Sequence, residues 1–499
     1  MHEIVRFFKT TPMKEQILYY IPHIILLVFQ ILFIGTAIDD AYITYHYAEN
    51  LVKSGQLVWN IGEAPIEGYS TILLVLIQAV YYLLGIDLNI GTKILGILCA
   101  HLTLILLSMT SKELFEGQGY FYLPALLLAF MPPFGIHSVS GMETSLYIFL
   151  ITALIYFYAK KEQNHYIVSV LLVLIVLVRL EGVVIVAPIL AYNLLKNLRS
   201  LNKTFLSTII TGCVIGVYHL WRWLYFGSFL SLPTLVKRSN LVLGLFDLSG
   251  ITESIQFLFR FSPYFVIALL SIIAINRAED IHIYLLFLIA TLFLVTWLFA
   301  PVMGFEYRFV FPVMVPVLLI GQKTGTDIVR WIKEINLKNL KNEKEFLQKV
   351  WKFRYLIPII FLLLYPNLRL PNAYERVTGY SASMESNFEI AAWLIDNATD
   401  DSVVAMWDVG AVAYLTDLVV IDLAGLNDPV LAAGWNTTYV WSRNPDYIIL
   451  HSDSPEEFVA RTWQEQELYD HEEFNNFELV KIFYRYYRSY SYILYQRIH

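Results

Sequence analysis

Two adjacent carboxylates, Asp39 and Asp40, follow directly on residues 17–38, which are 22 consecutive uncharged and mostly apolar positions. At ~1.5 Å per residue such a run is long enough to cross a bilayer core, so the acid pair is held near one membrane surface. Carboxylates are costly there as decoration and useful where a proton or a cation is handled. Other charged residues interrupt apolar sequence in the same way: Glu143 after Ser140, Gly141 and Met142, Arg179 and Glu181 in LIVLVRLEGVVIV, and Glu306 and Arg308 in APVMGFEYRFVFP. The segment from Asp39 to Ser70 adds Glu49, Glu63, Glu67 and Tyr69. Carboxylates and arginines from separate spans thus reach one depth. The set suits the paired gates of a channel or carrier, or the satisfied ion pairs of a bundle. It also suits a site for a lipid-borne anion, in which arginine receives phosphate, one carboxylate accepts a proton, and others hold sugar hydroxyls or a divalent cation.

The elements that position these residues are those of a polytopic membrane protein. The 499 residues are 57% hydrophobic and 15% charged, with a mean hydropathy of +0.56, and the apolar runs are longer and more numerous than a soluble core needs. Near charge-free runs cover 17–38, 70–86, 94–110, 120–142, 144–159, 166–178, 182–195, 204–221, 261–276, 281–305, 309–322 and 355–368, which sets an expectation of eleven to thirteen crossings. The first run has no small-residue cleavage pattern before the acid pair, so it is expected to stay as an anchor. Lysine and arginine bias puts residues 1–16, 160–161, 196–203 and 323–354 on the cytoplasmic side. The segments 39–70, 179–181, 225–260 and 306–308 and everything after Leu368 then face outward. Twelve full crossings would place both ends on one side, so one run is not a simple span. Residues 70–86, lying along the interface or re-entering, or a further helix near 241–246, would restore the parity.

The remaining composition is mostly exclusionary. Cys99 and Cys213 lie inside apolar runs, which supports neither a disulfide framework nor a thiolate metal site. A net charge of -7 without a basic and aromatic pattern excludes nucleic acid as the expected partner.

From Asn387 onward the pattern changes to that of a soluble α/β domain, set at 385–499, following a membrane domain of 1–370. DSVVAMWDVGAVAYLTDLVVIDLAGLNDPV reads as strand, turn, short helix, strand and loop, and DYIILHSDS repeats the strand and polar loop. The aromatic tail KIFYRYYRSYSYILYQ reads as an edge strand or as a surface resting on headgroups. Trp407, Asp408, Asp422, Asn427 and Asp428 fall at strand ends, where they either present groups to an acceptor or cap turns. Asn436, Thr437 and Thr438 match an N-glycosylation acceptor.

Several blocks resemble the GT-C membrane glycosyltransferases that use polyprenyl-phosphate donors, most of all those similar to the mycobacterial terminal arabinofuranosyltransferase. The blocks are residues 39–70, SGMETSLY at 140–147, RLEG at 179–182, YFGSFLSLPTLVK at 225–237, EYRFVFPVMVP at 306–316 and WDVGAVAYLTDLVVIDLAGLND at 407–428. The resemblance implies a GT-C-like bundle with a lipid-side cavity for an isoprenoid phosphosugar, an outward first loop carrying catalytic Asp39 and Asp40, and an outward C-terminal domain. The reaction expected is transfer to an envelope glycan or protein acceptor at the outer face of the cell membrane, with in-line attack inverting the anomeric centre. Asp39, nearer the membrane end, is expected to be the base, and the pair is the expected holder of any Mg2+, Mn2+ or Ca2+. Arg308 is expected to grip the donor phosphate, with Arg179 or Lys237 second, and Glu67, Tyr69, Glu143, Glu181 and Glu306 to meet sugar or acceptor. Leu180 stands where many relatives have proline, and Ser231, Leu232, Pro233 and Thr234 replace a Pro-Asn-Thr run, which bears on the sugar. The rival expectation is a transporter or flippase for a lipid-linked or anionic substrate, which should show matched halves and broken spans.

Overall fold

The computed structural model describes residues 13–114, 121–160, 164–200, 202–236, 241–242, 246–273, 280–298, 304–322, 356–454, 457–484 and 490–498. Lys237 and the lysine-rich segment 323–354 lie outside them.

A lipid-facing backbone must satisfy its amides and carbonyls internally, so the apolar runs fold as helices. Among the described residues, Leu88–Leu114, Leu180–Asn197, Lys203–Phe226, Ile281–Leu298 and Phe305–Gln322 are long and apolar enough to cross a membrane. Leu248–Arg260 and Ser262–Ile273, bent by 84° at their junction, count as one more if they form a single broken span. Leu18–Phe33, Ile72–Leu83, Thr144–Ala159 and His165–Val178 are apolar but shorter. The chain is therefore a polytopic helical bundle, with five or six long apolar helices and several shorter ones among the described residues, where the charge pattern sets eleven to thirteen crossings. The helix at 72–83 has 12 residues, about 18 Å against the ~30 Å of a bilayer core. Near 241–246, where one more helix is the alternative, the chain forms a short antiparallel pair, β1 (Leu241–Val242) with β2 (Phe246–Asp247).

Burial separates central from peripheral helices. The segment Phe305–Gln322 is 89% buried and runs through the middle of the bundle. Lys203–Phe226 sits at the edge, with Ile210, Val214, Val217, Leu220 and Leu224 exposed on an apolar outer face of the kind lipid covers.

Beyond the bundle, the helix α1 (Leu370–Asn397) leads into a five-stranded mixed sheet ordered β4-β3-β5-β7-β6. Its strands are β3 (Val403–Met406), β4 (Val419–Asp422), β5 (Tyr447–Ser452), β6 (Phe477–Tyr484) and β7 (Ser491–Arg497). β3 pairs in parallel with β4 and β5, whereas β5, β7 and β6 are antiparallel. The aromatic tail is a hairpin, with β6 at the sheet edge and β7 inside it.

The opposite edge, β4, is covered by residues 59 and 60 of the first loop. Asn60 accepts from the Val420 amide at 3.1 Å and donates to its carbonyl at 3.3 Å, and Trp59 Nε1 donates to the same carbonyl at 2.9 Å. A side-chain amide thus occupies the position of a sixth strand and keeps the edge from pairing elsewhere. On the other side of that segment, Glu67 takes a bidentate pair from Arg222, with Nε to Oε1 at 2.8 Å, both residues being buried. The first loop is therefore pinned to the soluble sheet at one end and to the bundle at the other.

Glu67→Ala strands a buried guanidinium and should destabilise the protein by about 3–5 kcal/mol. Glu67→Leu combined with Arg222→Leu should restore melting close to wild type, because a packed apolar pair replaces the ion pair. Thermal unfolding in detergent of both variants decides it.

Candidate functional site

Asp39 and Asp40 open the helix α2 (Asp39–Ser54), which follows Ile38 in an extended conformation and ends at Gly55, φ +73°. Neighbouring residues on a helix do not share a face, so the two carboxylates go to different partners. Asp39 turns toward the soluble domain. It accepts hydrogen bonds from the amides of Gly410 at 2.9 Å and Ala411 at 2.9 Å, and from Asn387 Nδ2 at 3.2 Å. Those amides begin the short helix Gly410–Thr416. The approach demands glycine at 410, because a Cβ there would lie 2.2 Å from the Asp39 carbonyl oxygen. Burial pushes the Asp39 carboxyl up to about 6, the Asp408 carboxylate adds to the rise, and the two amides oppose it.

Asp40 turns toward the bundle. It is half-buried, and its Oδ2 lies 3.4 Å from Arg308 Nη2. Arg308 itself is buried, with its guanidinium 4.7 Å from the Phe309 ring centre. Its Nε and Nη1 are buried without a hydrogen-bond partner. An unmet buried guanidinium donor is costly, and an anion is what would meet it. Arg308 is also the charged neighbour of Glu253, a residue whose Oε1 is buried and unpartnered.

The segment bearing Arg308 is strained into place. Glu306 and Tyr307 both adopt positive φ, +47° and +63°, which non-glycine residues rarely do and which persists only when the surroundings over-determine it. Glu306 is held by Arg260 Nη1 at 2.8 Å and by Arg376. Its carbonyl accepts from His137 Nε2 at 3.1 Å. Arg260, like Arg308, has two buried donors without a partner, Nε and Nη2.

The other expected residues separate into paired and unpaired groups. Arg179 is saturated: Nε and Nη2 bind Glu143 Oε1 at 2.9 and 2.7 Å, Nη2 reaches Thr144 at 3.3 Å, and Nη1 reaches the Arg308 carbonyl at 3.5 Å. Glu143 and Arg179 thus brace the Arg308 segment, and Glu67 is committed to Arg222. Glu181 Oε2 and the Tyr69 hydroxyl are buried without partners. Lys237 is outside the described residues. In the soluble domain, Asp422 accepts from the amides of Ala424 and Asn427 and from Asn427 Nδ2, each at 2.9 Å, and burial raises its carboxyl to about 7. Asp428 accepts from the Val430 and Leu431 amides and from the Tyr439 hydroxyl. Asn427 Oδ1 accepts from Tyr47 at 3.2 Å. These three close turns beside the first loop.

Among the described residues no group of three or more His, Cys, Asp or Glu converges, Asp39 is taken up by amides, and Asp40 faces a guanidinium.

Arg222, Arg260, Arg376, Glu253 and Asn387 were not singled out from the sequence. For Arg222 in HLWRWLYF and Arg260 in FLFRFSP the signal was present, a lone arginine inside an apolar run, the same one that marks Arg179.

A family model described as a domain of unknown function, DUF8728, matches residues 371–495, the stretch from α1 to β7. No curated protein matches the chain. In three dimensions it is similar to ArnT from Cupriavidus metallidurans bound to undecaprenyl phosphate, with a TM-score of 0.56 and 11% identity over 97% of this chain and 98% of that one. The apo state of the same protein gives 0.54 and 10%. Arabinofuranosyltransferase AftD from Mycobacteria gives 0.51 at 11% identity, over 96% of this chain and 40% of that longer one. The chain shares the overall fold of these membrane proteins.

Asp39→Ala leaves the Gly410 and Ala411 amides unmet, which should cost about 1–3 kcal/mol. Hydrogen exchange should accelerate at residues 410–412 and stay unchanged within β7, and mass spectrometry of exchanged peptides reads both.

Proposed function

We propose that the chain is an inverting glycosyltransferase that moves a sugar from a polyprenyl-phosphate donor to a hydroxyl of an envelope glycan or glycoprotein at the outer membrane face. The observation that carries this reading is the pairing of half-buried Asp40 with a buried Arg308 whose Nε and Nη1 have no partner. It is supported by a fold shared with a protein that binds undecaprenyl phosphate and with one named as an arabinofuranosyltransferase. The second name favours a pentofuranose.

The chemistry follows from the charges. Asp40 accepts the proton of the acceptor hydroxyl as its oxygen attacks the anomeric carbon from the face opposite the phosphate. The bond from that carbon to the phosphate oxygen breaks, and the phosphate leaves with the electron pair into the donors of Arg308, with Arg260 behind it. A phosphate leaves without a strong general acid, so one base suffices. Asp39, whose oxygens are held by amides, orients the start of α2 and thereby its neighbour. The role of base moves from Asp39, the expectation from membrane depth, to Asp40, the acid of the pair not engaged by backbone amides.

The protein reconstituted with radiolabelled arabinofuranosyl, mannosyl and glucosyl phosphopolyprenols should transfer one of them to an envelope acceptor with inversion. Absence of transfer from every donor, while a known enzyme works in the same vesicles, would overturn the reading. Asp40→Asn should lower turnover by roughly 100-fold or more while retaining donor binding. Arg308→Lys keeps the charge, loses the fork and should raise the donor concentration for half-maximal rate.

A further inference from the structure

The C-terminal ends of parallel strands in an α/β sheet are where ligands usually bind. Here those of β3, β4 and β5 lead to a cluster the chemistry above leaves unused. Trp407, directly after β3, stacks on Trp435 with ring centres 5.9 Å apart and planes 8° from parallel. Trp435 meets the edge or face of Trp463 at 6.3 Å and 78°. Trp463 is 64% exposed, and it lines an open cleft of about 700 Å³ together with Thr462, Gln466, Glu467 and Asp470. A tryptophan left that exposed in an ordered domain costs solvation and offers a flat apolar face.

The polar groups around the cleft decide what kind of molecule suits it. Glu467 is oriented by a chain in which Trp435 Nε1 donates to Thr437 at 2.8 Å and Thr437 donates to Glu467 at 2.6 Å. Asp470 accepts from Gln466 at 2.9 Å. Each carboxylate has further lone pairs for hydroxyl donors. The cation of the cleft is committed: Arg461 lies 4.0 Å from the Tyr490 ring centre and 3.6 Å from Asp453. His471 accepts from the Glu473 amide and stacks on Trp441. Behind Trp435, Trp407 Nε1 is a buried donor without a partner. An aromatic plane ringed by acidic and amide acceptors is complementary to a sugar ring, with its apolar C–H face and its hydroxyl rim, and repels phosphate or uronate.

We propose that this cleft binds a neutral oligosaccharide, the growing end of the acceptor, stacked on Trp463. The proposal rests on the transferase reading for calling the glycan an acceptor, and on the cleft alone for calling it a glycan. The row Trp463, Trp435, Trp407 runs back to Asp408, and the same loop then supplies the Gly410 and Ala411 amides that hold Asp39.

The test uses the full chain in lipid nanodiscs against an array of neutral arabinan, mannan and glucan oligomers, with polyuronate oligomers as the charged contrast. At least one neutral series should be retained, with affinity rising with oligomer length. Trp463→Ala should weaken it by roughly tenfold and Trp463→Phe much less, since a ring remains. Arg308→Lys, which touches only donor chemistry, should leave capture unchanged. Failure of the wild type to retain any neutral oligomer, preference for polyuronate, or equal capture by Trp463→Ala overturns the proposal. Capture without transfer from any donor overturns the transferase reading and leaves the glycan site standing. Transfer whose acceptor dependence ignores Trp463→Ala leaves the transferase reading standing and overturns the assignment of the bound glycan as the acceptor.

Discussion

A carboxylate removed from water has to be met by donors, and for Asp39 those donors are the first amides of a helix some 370 residues away in sequence. That contact ties the start of α2 to the soluble domain, and because residues adjacent on a helix diverge, it also decides where Asp40 can point. Asn60 on β4, Tyr47 on Asn427 and Lys53 on Asp417 at 2.7 Å repeat the tie along the same seam. The orientation of the acid pair is thus a property of the assembled protein.

The buried charges of the bundle obey the same constraint to different degrees. Arg179 with Glu143 and Arg222 with Glu67 are closed pairs, and replacing either partner exposes a charge to an apolar surrounding. Arg260 and Arg308 keep donors in reserve, the first bound to Glu306 and the second directly after the strained turn at Glu306 and Tyr307. Strain held beside unmet donors is characteristic of a site arranged for something that arrives from outside. Closed pairs give the framework, and the open ones leave donors within it unmet.

Some of this architecture is written plainly in the sequence. Short continuous apolar runs bounded by polar turn residues, at VVAM, VVID and YIILHS, mark β3, β4 and β5, because a strand buried on both faces is encoded that way. Charged residues inside apolar runs mark Glu143, Arg179, Glu306 and Arg308 as residues with partners. The identity of the partners is not local information. Spacing cannot tell that Glu306 goes to Arg260 and Arg376 rather than to Arg308, two positions away, since a turn with positive φ separates them. It cannot tell Asp39 from Asp40 either, since the amides that distinguish them lie in another domain. Short and bent helices are equally hidden, as charge boundaries measure apolar length and not the path the chain takes through it.

The side chain of Asn60 standing in for a strand along β4 has an implication for how the soluble domain can be inherited. The family match begins at residue 371 and so includes the sheet but not the residue that closes its open border. A domain excised there, or grafted onto another chain, carries a naked row of amides and carbonyls that will recruit a strand from any neighbour, including a copy of itself. Such a module is portable only together with a loop from its host, so its recombination between proteins is restricted to hosts that bring an equivalent amide to the same place.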